Sequence, residues 1–279
     1  MNGRSEDQKS HNFSLALSET QAKITMACLK GARLGASVQL LAVSKTFPAE
    51  AVMAFAKLGQ RAFGENYLQE ALDKQEACLQ LDPELAPLLD WHFIGPIQSN
   101  KTRPIAEHFS WVHGVEREKI ARRLIEQRPS GLDPLNLCLQ INISGEASKS
   151  GCPPEEATAL VLDVAELIQE AKLSRPEAPI ALRGLMCIPE SAETEKEQRK
   201  PFLAMRKLFA TIQAELRHQH PEQARAFDTL SMGMSADLQA AILEGSTMVR
   251  IGSALFGQRN TVQGEVPGEH LPNDPGTKS

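Results

Sequence analysis

The chain has no excess of positive charge: 30 lysines and arginines stand against 35 aspartates and glutamates over 279 residues, a net charge of -5. Without a basic field it is not built to hold nucleic acid or an anionic membrane, and local pairs such as Arg122-Arg123 read as solvated helix faces. No apolar run is long enough to span a bilayer. Residues 1–10 are polar and mixed in charge, without the apolar core of a signal peptide, so the cytoplasm is the expected compartment. Five cysteines, Cys28, Cys78, Cys138, Cys152 and Cys187, are odd in number, scattered and never spaced Cys-x-x-Cys, which points to reduced thiols. Only His218 and His220 among the seven histidines lie close together, and their two-residue spacing sends them to different helix faces, so no metal site is expected. Tyrosine is nearly absent, with Tyr67 alone. No Gly-x-Gly-x-x-Gly follows the first strand-like run, which removes the dinucleotide fingerprint.

What is there is a large apolar fraction, 42%, in a regular order. Apolar runs predict eight strands, near residues 39–44, 61–63, 91–94, 110–113, 136–142, 180–186, 228–230 and 248–251. Helical periodicity fills the gaps over 49–58, 67–79, 101–107, 117–127, 154–171, 198–218 and 236–243. Eight such repeats with short connections and no composition break predict an α/β fold, a closed (β/α)8 TIM barrel in preference to an open doubly wound sheet. Helical spacing over 13–34 adds an extra N-terminal helix that plugs or flanks the barrel. The expected organisation is a disordered N-terminal extension at 1–11, a single barrel domain at 12–257 and a disordered tail at 258–279, where glycine, proline and polar residues dominate.

In such barrels chemistry sits at the carboxyl ends of the strands, so the residues after each run carry the functional information. Lys45 ends the first run, Gln39-Leu40-Leu41-Ala42-Val43-Ser44. An amine at the end of a buried strand either snorkels to solvent or, once desolvated, becomes a nucleophile toward carbonyls. After the seventh and eighth runs come Ser231-Met232-Gly233-Met234-Ser235 and Arg250-Ile251-Gly252-Ser253, with the composition of an anion cradle. Ser235 reads as a helix N-cap, a phosphate ligand or both, and Gly252 as a phosphate contact or a site of close packing. Arg250 stands inside an apolar run and needs partners, either an acidic barrel residue such as Glu65 or a heteroatom of a ligand. His92 reads as a satisfied core histidine or a base, and Met186, Met232 and Met234 as packing. An amine, a phosphate cradle and an arginine between them match an aldehyde with a phosphate and a ring nitrogen, demands that pyridoxal 5′-phosphate meets.

Several long motifs also carry a resemblance. Ala42-Val43-Ser44-Lys45-Thr46, Phe63-Gly64-Glu65-Asn66-Tyr67-Leu68-Gln69-Glu70, and Trp91-His92-Phe93-Ile94-Gly95-Pro96-Ile97-Gln98-Ser99-Asn100-Lys101 resemble the pyridoxal phosphate homeostasis protein family. So do Leu230-Ser231-Met232-Gly233-Met234-Ser235 and Gly245-Ser246-Thr247-Met248-Val249-Arg250-Ile251-Gly252-Ser253, and the likeness runs over residues 12–257. It implies a fold-type III barrel like the N-terminal domain of alanine racemase, with pyridoxal 5′-phosphate held as a Schiff base on Lys45. It further implies that Arg250 faces the pyridine nitrogen, that Ser235, Gly252 and Ser253 hold the phosphate, and that Asn66 and Met186 line the pocket.

The resemblance implies a cytoplasmic, monomeric protein of vitamin B6 homeostasis that buffers or delivers its cofactor, with apo forms of pyridoxal phosphate enzymes as partners and no catalytic reaction of its own. An amino-acid racemase or decarboxylase is the rival reading; racemases of this fold type use a second domain and an opposing tyrosine. A Schiff-base aldolase without cofactor is a third, separated by the absence of a visible chromophore.

Overall fold

The structure is a computed structural model in which residues 3–146, 149–177 and 179–257 are described. Its strands are β1 (Gln39–Val43), β2 (Ala62–Glu65), β3 (Asp90–Phe93), β4 (Trp111–Val115), β5 (Leu135–Gln140), β6 (Ile180–Met186), β7 (Thr229–Ser231) and β8 (Met248–Ile251). They form a closed barrel in sequence order, every ladder parallel, with β8 returning to β1 through Leu40 opposite Val249 and Leu41 opposite Arg250. The helices are α1 (Gly3–Lys30), α2 (Ala49–Lys57), α3 (Leu68–Leu81), α4 (Thr102–His108), α5 (Glu118–Gln127), α6 (Ala157–Ser174), α7 (Glu195–Gln219), α8 (Pro221–Ala226), α9 (Leu238–Leu243) and α10 (Ser253–Phe256). All eight predicted strands and the TIM-barrel closure are present.

Strand alternation separates two apolar cores. Leu41, Ala62, Trp111, Cys138, Met186 and Met248 form a small cluster inside the barrel. The larger core lies between the strands' outer faces and the helices, and takes in Ala42, Phe63, Val112 and Val249 from positions one residue away. Because side chains alternate along a strand, stepping two residues up from Leu41, Ala62 and Met248 gives Val43 and Lys45, Gly64 and Asn66, and Arg250 and Gly252 on the inner side. The helices show the complementary stripe: α5 buries Ile120, Ala121, Leu124 and Ile125, while Arg122 and Glu118 pair on its exposed face. Thr194 caps the start of α7, its hydroxyl oxygen accepting from the Glu197 N–H at 3.3 Å and its O–H donating to the Glu197 carboxylate at 3.0 Å.

Several boundaries differ from expectation; α6 spans Ala157–Ser174 in place of 154–171, and α7 starts at Glu195 in place of 198. The N-terminal helix spans Gly3–Lys30 in place of 13–34. No proline interrupts it, and it stops where Gly31 and Arg33 turn back to bond the carbonyls of Ala27 and Cys28, at 3.0 and 2.8 Å, with Ala32 in the left-handed region. Residues 3–11, expected as a disordered extension, therefore continue that helix. α9 begins at Leu238, two residues later than expected, because the Asp237 carboxylate accepts the Met234 N–H at 2.6 Å and holds a turn there. The short helices α8 and α10 have too few residues for a periodic signal. The expected tail, 258–279, lies outside the described residues.

The extra helix flanks the barrel. α1 packs along α2, α9 and α10, and its Phe13 opens a chain of rings that runs through Phe55 and Phe256 to Phe47, with centroids 4.8, 4.7 and 5.0 Å apart. Aromatic pairs at this spacing fix relative orientation as well as burying area. The chain ties the loop after β1 to the last helix, and so braces one wall of the site.

Candidate functional site at the carboxyl end of the barrel

A cavity of about 600 Å³ opens where the strands end. Lys45 enters it from the end of β1, Asn66 from β2, Ser235 from the loop after β7, and Arg250, Gly252 and Ser253 from β8 and the turn that follows. Val43, Phe47, Ile94, Ile188 and Met234 supply its apolar wall. Of the seven residues singled out from sequence, six line this one cavity. Met186 does not share that place: it is 1% exposed and packs in the inner cluster below, touching the site through Ile94, which belongs to both. It is a floor residue, because it is the last residue of β6 while the cavity forms one step higher, at Ile188.

Arg250 is buried and held from beneath. Its Nη1 donates to the Ser231 carbonyl at 2.5 Å and hydroxyl at 2.9 Å, and its Nη2 donates to the Cys187 carbonyl at 2.8 Å. Among the described residues no carboxylate forms a salt bridge with it; Glu65, the expected partner, is taken by Lys74. Desolvation pushes the Arg250 pKa down, yet a guanidinium starts so high that it stays charged at neutral pH. The hydrogen bonds continue: Ser231 Oγ meets His113 Nδ1 at 2.9 Å, and His113 Nε2 meets His92 Nδ1 at 3.0 Å. Arginine has no lone pair, so Ser231 Oγ accepts from it, and among the described residues the acceptor within reach of the hydroxyl hydrogen is His113 Nδ1, which sets the direction of the chain. Ser231 Oγ accepts from Arg250 and gives its own hydrogen to His113, whose Nε2–H in turn donates to His92. His92 then carries its proton on Nε2, a buried atom with no partner among the described residues. Burial holds the pKa of His92 down to about 3, and that of His113 well below the ordinary range, with His92 and Arg250 adding repulsion there. A ring lying flat on Trp111, 5.2 Å between centroids, completes the setting of His92. His92 is a core residue rather than a base for a ligand.

A second polar cluster lies on the outer face of the barrel, behind Lys45. Lys74 Nζ donates to the Ser44 carbonyl at 2.8 Å, to Glu65 Oε1 at 2.6 Å and to Glu70 Oε1 at 2.9 Å. Glu65 Oε1 also accepts from Ser44 Oγ at 2.6 Å, and Glu70 Oε1 from the Thr46 N–H at 2.6 Å. Desolvation pushes the Glu65 carboxyl up, against the pull of Lys74 and Ser44. Thr46 has φ +68°, a left-handed conformation that costs a β-branched residue on the order of 1–2 kcal/mol.

Ser235 is exposed to the cavity and is not an N-cap, since α9 starts beyond it and Asp237 holds the turn. The turn needs its glycine: Gly233 has φ +98°, and a Cβ there would lie 2.6 Å from the Ala241 side chain. Asn66 shares the cavity with Lys45, its Oδ1 buried and without a partner among the described residues. Sequence reasoning missed His113, Ser231 and Lys74. For Lys74 a signal existed, because it occupies the buried stripe Ala71, Lys74, Cys78 of α3, where a lysine demands acceptors. For His113 none did, since its partners come from other strands.

Comparison with known proteins places this geometry. The family model for the alanine racemase N-terminal domain matches residues 26–260. A pyridoxal phosphate homeostasis protein of Pseudomonas aeruginosa is 54% identical over 245 residues, 88% of this chain and 94% of the relative; one of Escherichia coli K12 is 46% identical over 244 residues, 88% and 95%. PipY of Synechococcus elongatus PCC7942, solved with PLP bound, superposes with a TM-score of 0.68 at 35% identity, over 88% of this chain and all of that one. Alanine racemase of Corynebacterium glutamicum shares the fold, with a TM-score of 0.58 at 18% identity over 93% of this chain and 63% of its own. The chain belongs to the pyridoxal phosphate homeostasis protein family, built on the barrel of the alanine racemase N-terminal domain.

Proposed function

We propose that the protein binds pyridoxal 5′-phosphate in this cavity as a Schiff base on Lys45 and serves cofactor homeostasis by holding and releasing it. The observation that carries this reading is the meeting of Lys45 with a buried arginine that has no carboxylate partner among the described residues, in one cavity at the strand ends. The residues fit the group. Arg250 offers a guanidinium to the ring nitrogen, Ser235 and Ser253 offer hydroxyls to a phosphate, and the first N–H groups after Gly252 have no partner within their own helix. Asn66 brings a buried polar atom without a partner among the described residues to the same cavity. When bound, the cofactor supplies an aldehyde that condenses reversibly with amines. PipY, described with PLP bound at 35% identity, supports the same ligand here.

Carrier rather than enzyme is favoured by what a racemase would need and the described residues do not place at the cavity. Tyr67, the sole tyrosine, is 54% exposed at the start of α3 and is not among the residues lining the cavity. The likeness to alanine racemase covers 63% of that chain, so what is shared is the barrel. Arg250 only donates, which leaves a ring nitrogen opposite it as a neutral acceptor and a weaker electron sink for carbanion chemistry; racemases work with this same arrangement, so the tyrosine carries the distinction from them. We read the protein as a cytoplasmic monomer whose partners are apo forms of pyridoxal phosphate enzymes; among the described residues no helix is long and apolar enough to cross a membrane.

Loaded protein incubated with such an apo-enzyme should restore its activity, whereas free amino acids should show no racemisation or decarboxylation. Turnover at about 1 per second or faster would decide for the racemase rival. The phosphate cradle is tested separately. Pyridoxal lacking its phosphate should bind much more weakly than the phosphate ester, and Ser235→Ala should cost about 1 to 2 kcal/mol of affinity for the ester, the worth of one hydrogen bond to a charged group. Equal binding of the two vitamers, measured by titration, would remove the cradle.

A further inference from the structure

Lys74 lines no part of the cavity, yet its side chain, on a residue 5% exposed, spends three hydrogen bonds on Ser44, Glu65 and Glu70. An ammonium has three donors, and all are used. The acceptors converge on the two neighbours of Lys45. Ser44 is fixed at its carbonyl by Lys74 and at its hydroxyl by Glu65; Thr46 is fixed at its N–H by Glu70. Just past the end of β1, Ser44 turns its side chain to this cluster and Lys45 lines the cavity. Thr46 adds a second observation, since a β-branched residue in the left-handed region persists only where its surroundings impose it; here it is held by the turn that the Phe47 N–H closes on the Ser44 carbonyl at 3.1 Å and by Glu70, which accepts its N–H. A buried ion pair is weak evidence for stability, because apolar residues of similar volume do as well; its better attested use is to select one conformation.

We infer that the Glu65–Lys74–Glu70 cluster is a positioning device for Lys45, clamping the backbone on both sides so that its amine meets a bound carbonyl in one orientation. The inference rests on the reading of Lys45 as the linking amine. It also explains why Lys74, though close in the fold, is not that amine: its donors are committed to three acceptors.

The test uses the full chain and two probes. Pyridoxal 5′-phosphate reports covalent linkage through the rate at which a borohydride-reducible complex forms. Pyridoxamine 5′-phosphate has no aldehyde and reports recognition of ring and phosphate alone. Lys74→Met and Glu70→Ala should slow linkage by roughly tenfold or more, the scale of effect that misplacement of a reacting group produces, while affinity for pyridoxamine 5′-phosphate stays unchanged. Glu70→Gln should link at close to the wild-type rate, because its amide oxygen still accepts the Thr46 N–H. Glu70 is partly exposed, so the Glu70 pair decides the matter should Lys74→Met fail to fold. Linkage as fast as wild type in Glu70→Ala, or a parallel loss of pyridoxamine 5′-phosphate binding in the folded variants, overturns the positioning role. Wild-type protein that links its cofactor at a lysine other than Lys45 overturns this role and the underlying reading together, whereas linkage at Lys45 with unaffected variants overturns the positioning role alone.

Discussion

Borohydride reduction of the protein loaded with pyridoxal 5′-phosphate is expected to leave the pyridoxyl group on the peptide that contains Lys45, and Lys45→Ala is expected to abolish that product. Lys45 is the lysine that lines the cavity with Arg250 and Ser235. In the variant the ring and phosphate contacts remain, so cofactor should still enter but leave freely. Retention through gel filtration should fall by roughly tenfold or more, each tenfold corresponding to about 1.4 kcal/mol of lost binding. The visible band of the loaded protein should disappear with it. A variant as yellow as the wild type, with the label on another lysine, would show that the barrel presents a different amine.

Acid should unfold this protein early, and the buried histidine pair is the reason. In the folded chain His92 titrates at about 3 and His113 far below its ordinary value, both because burial disfavours the imidazolium. In the unfolded chain both titrate near 6.5. Above that value neither state binds the extra proton and the pair has no effect on stability. As pH falls below it the unfolded state takes up protons that the folded state refuses, so stability drops, for His92 through the window from 6.5 to about 3. For His92 alone this amounts to about 1.4 kcal/mol per pH unit and on the order of 5 kcal/mol over the window, a large share of the stability of an ordinary domain. Denaturant titrations across this range give the slope directly. His92→Phe keeps a flat ring against Trp111 and removes one titrating group, so its slope should be shallower by about one proton. Its stability at neutral pH should also fall, by about 1 to 3 kcal/mol, because the His113 Nε2–H loses its acceptor. A slope unchanged by that substitution would mean that carboxylates, not these histidines, set the acid limit.

Much of this molecule was legible before any coordinates. All eight strands were visible because each is a short apolar run bounded by polar or turn residues, and the regular alternation with helices leaves few closed arrangements for a parallel sheet. The candidate site was legible for a related reason: in a closed barrel whatever follows each strand must gather at one end, so Lys45, Ser235, Arg250, Gly252 and Ser253 could be grouped from order, while Asn66 was singled out only through the family resemblance. The displacement of Met186 to the floor was not, since it depends on where one strand ends relative to its neighbours, a matter of register.

Local sequence by itself thus determined the class of fold, the closure into a barrel, and which side chains arrive at its carboxyl end, because periodicity and strand endings are properties of neighbouring residues. Only the tertiary structure decided the partners. Glu65 goes to Lys74 and not to Arg250 because it points out of the barrel while Arg250 points in, a difference of one step in strand phase that no composition reveals. Arg250, Ser231, His113 and His92 form one chain because β7 and β4 face each other across the barrel, with β8 and β3 as their neighbours in the sheet, and bonded residues lie up to 118 positions apart in sequence. The pairing of buried polar groups is set by the need of each to find an acceptor or donor at about 3 Å, and that need is met in space, by whichever strand the closed sheet brings opposite.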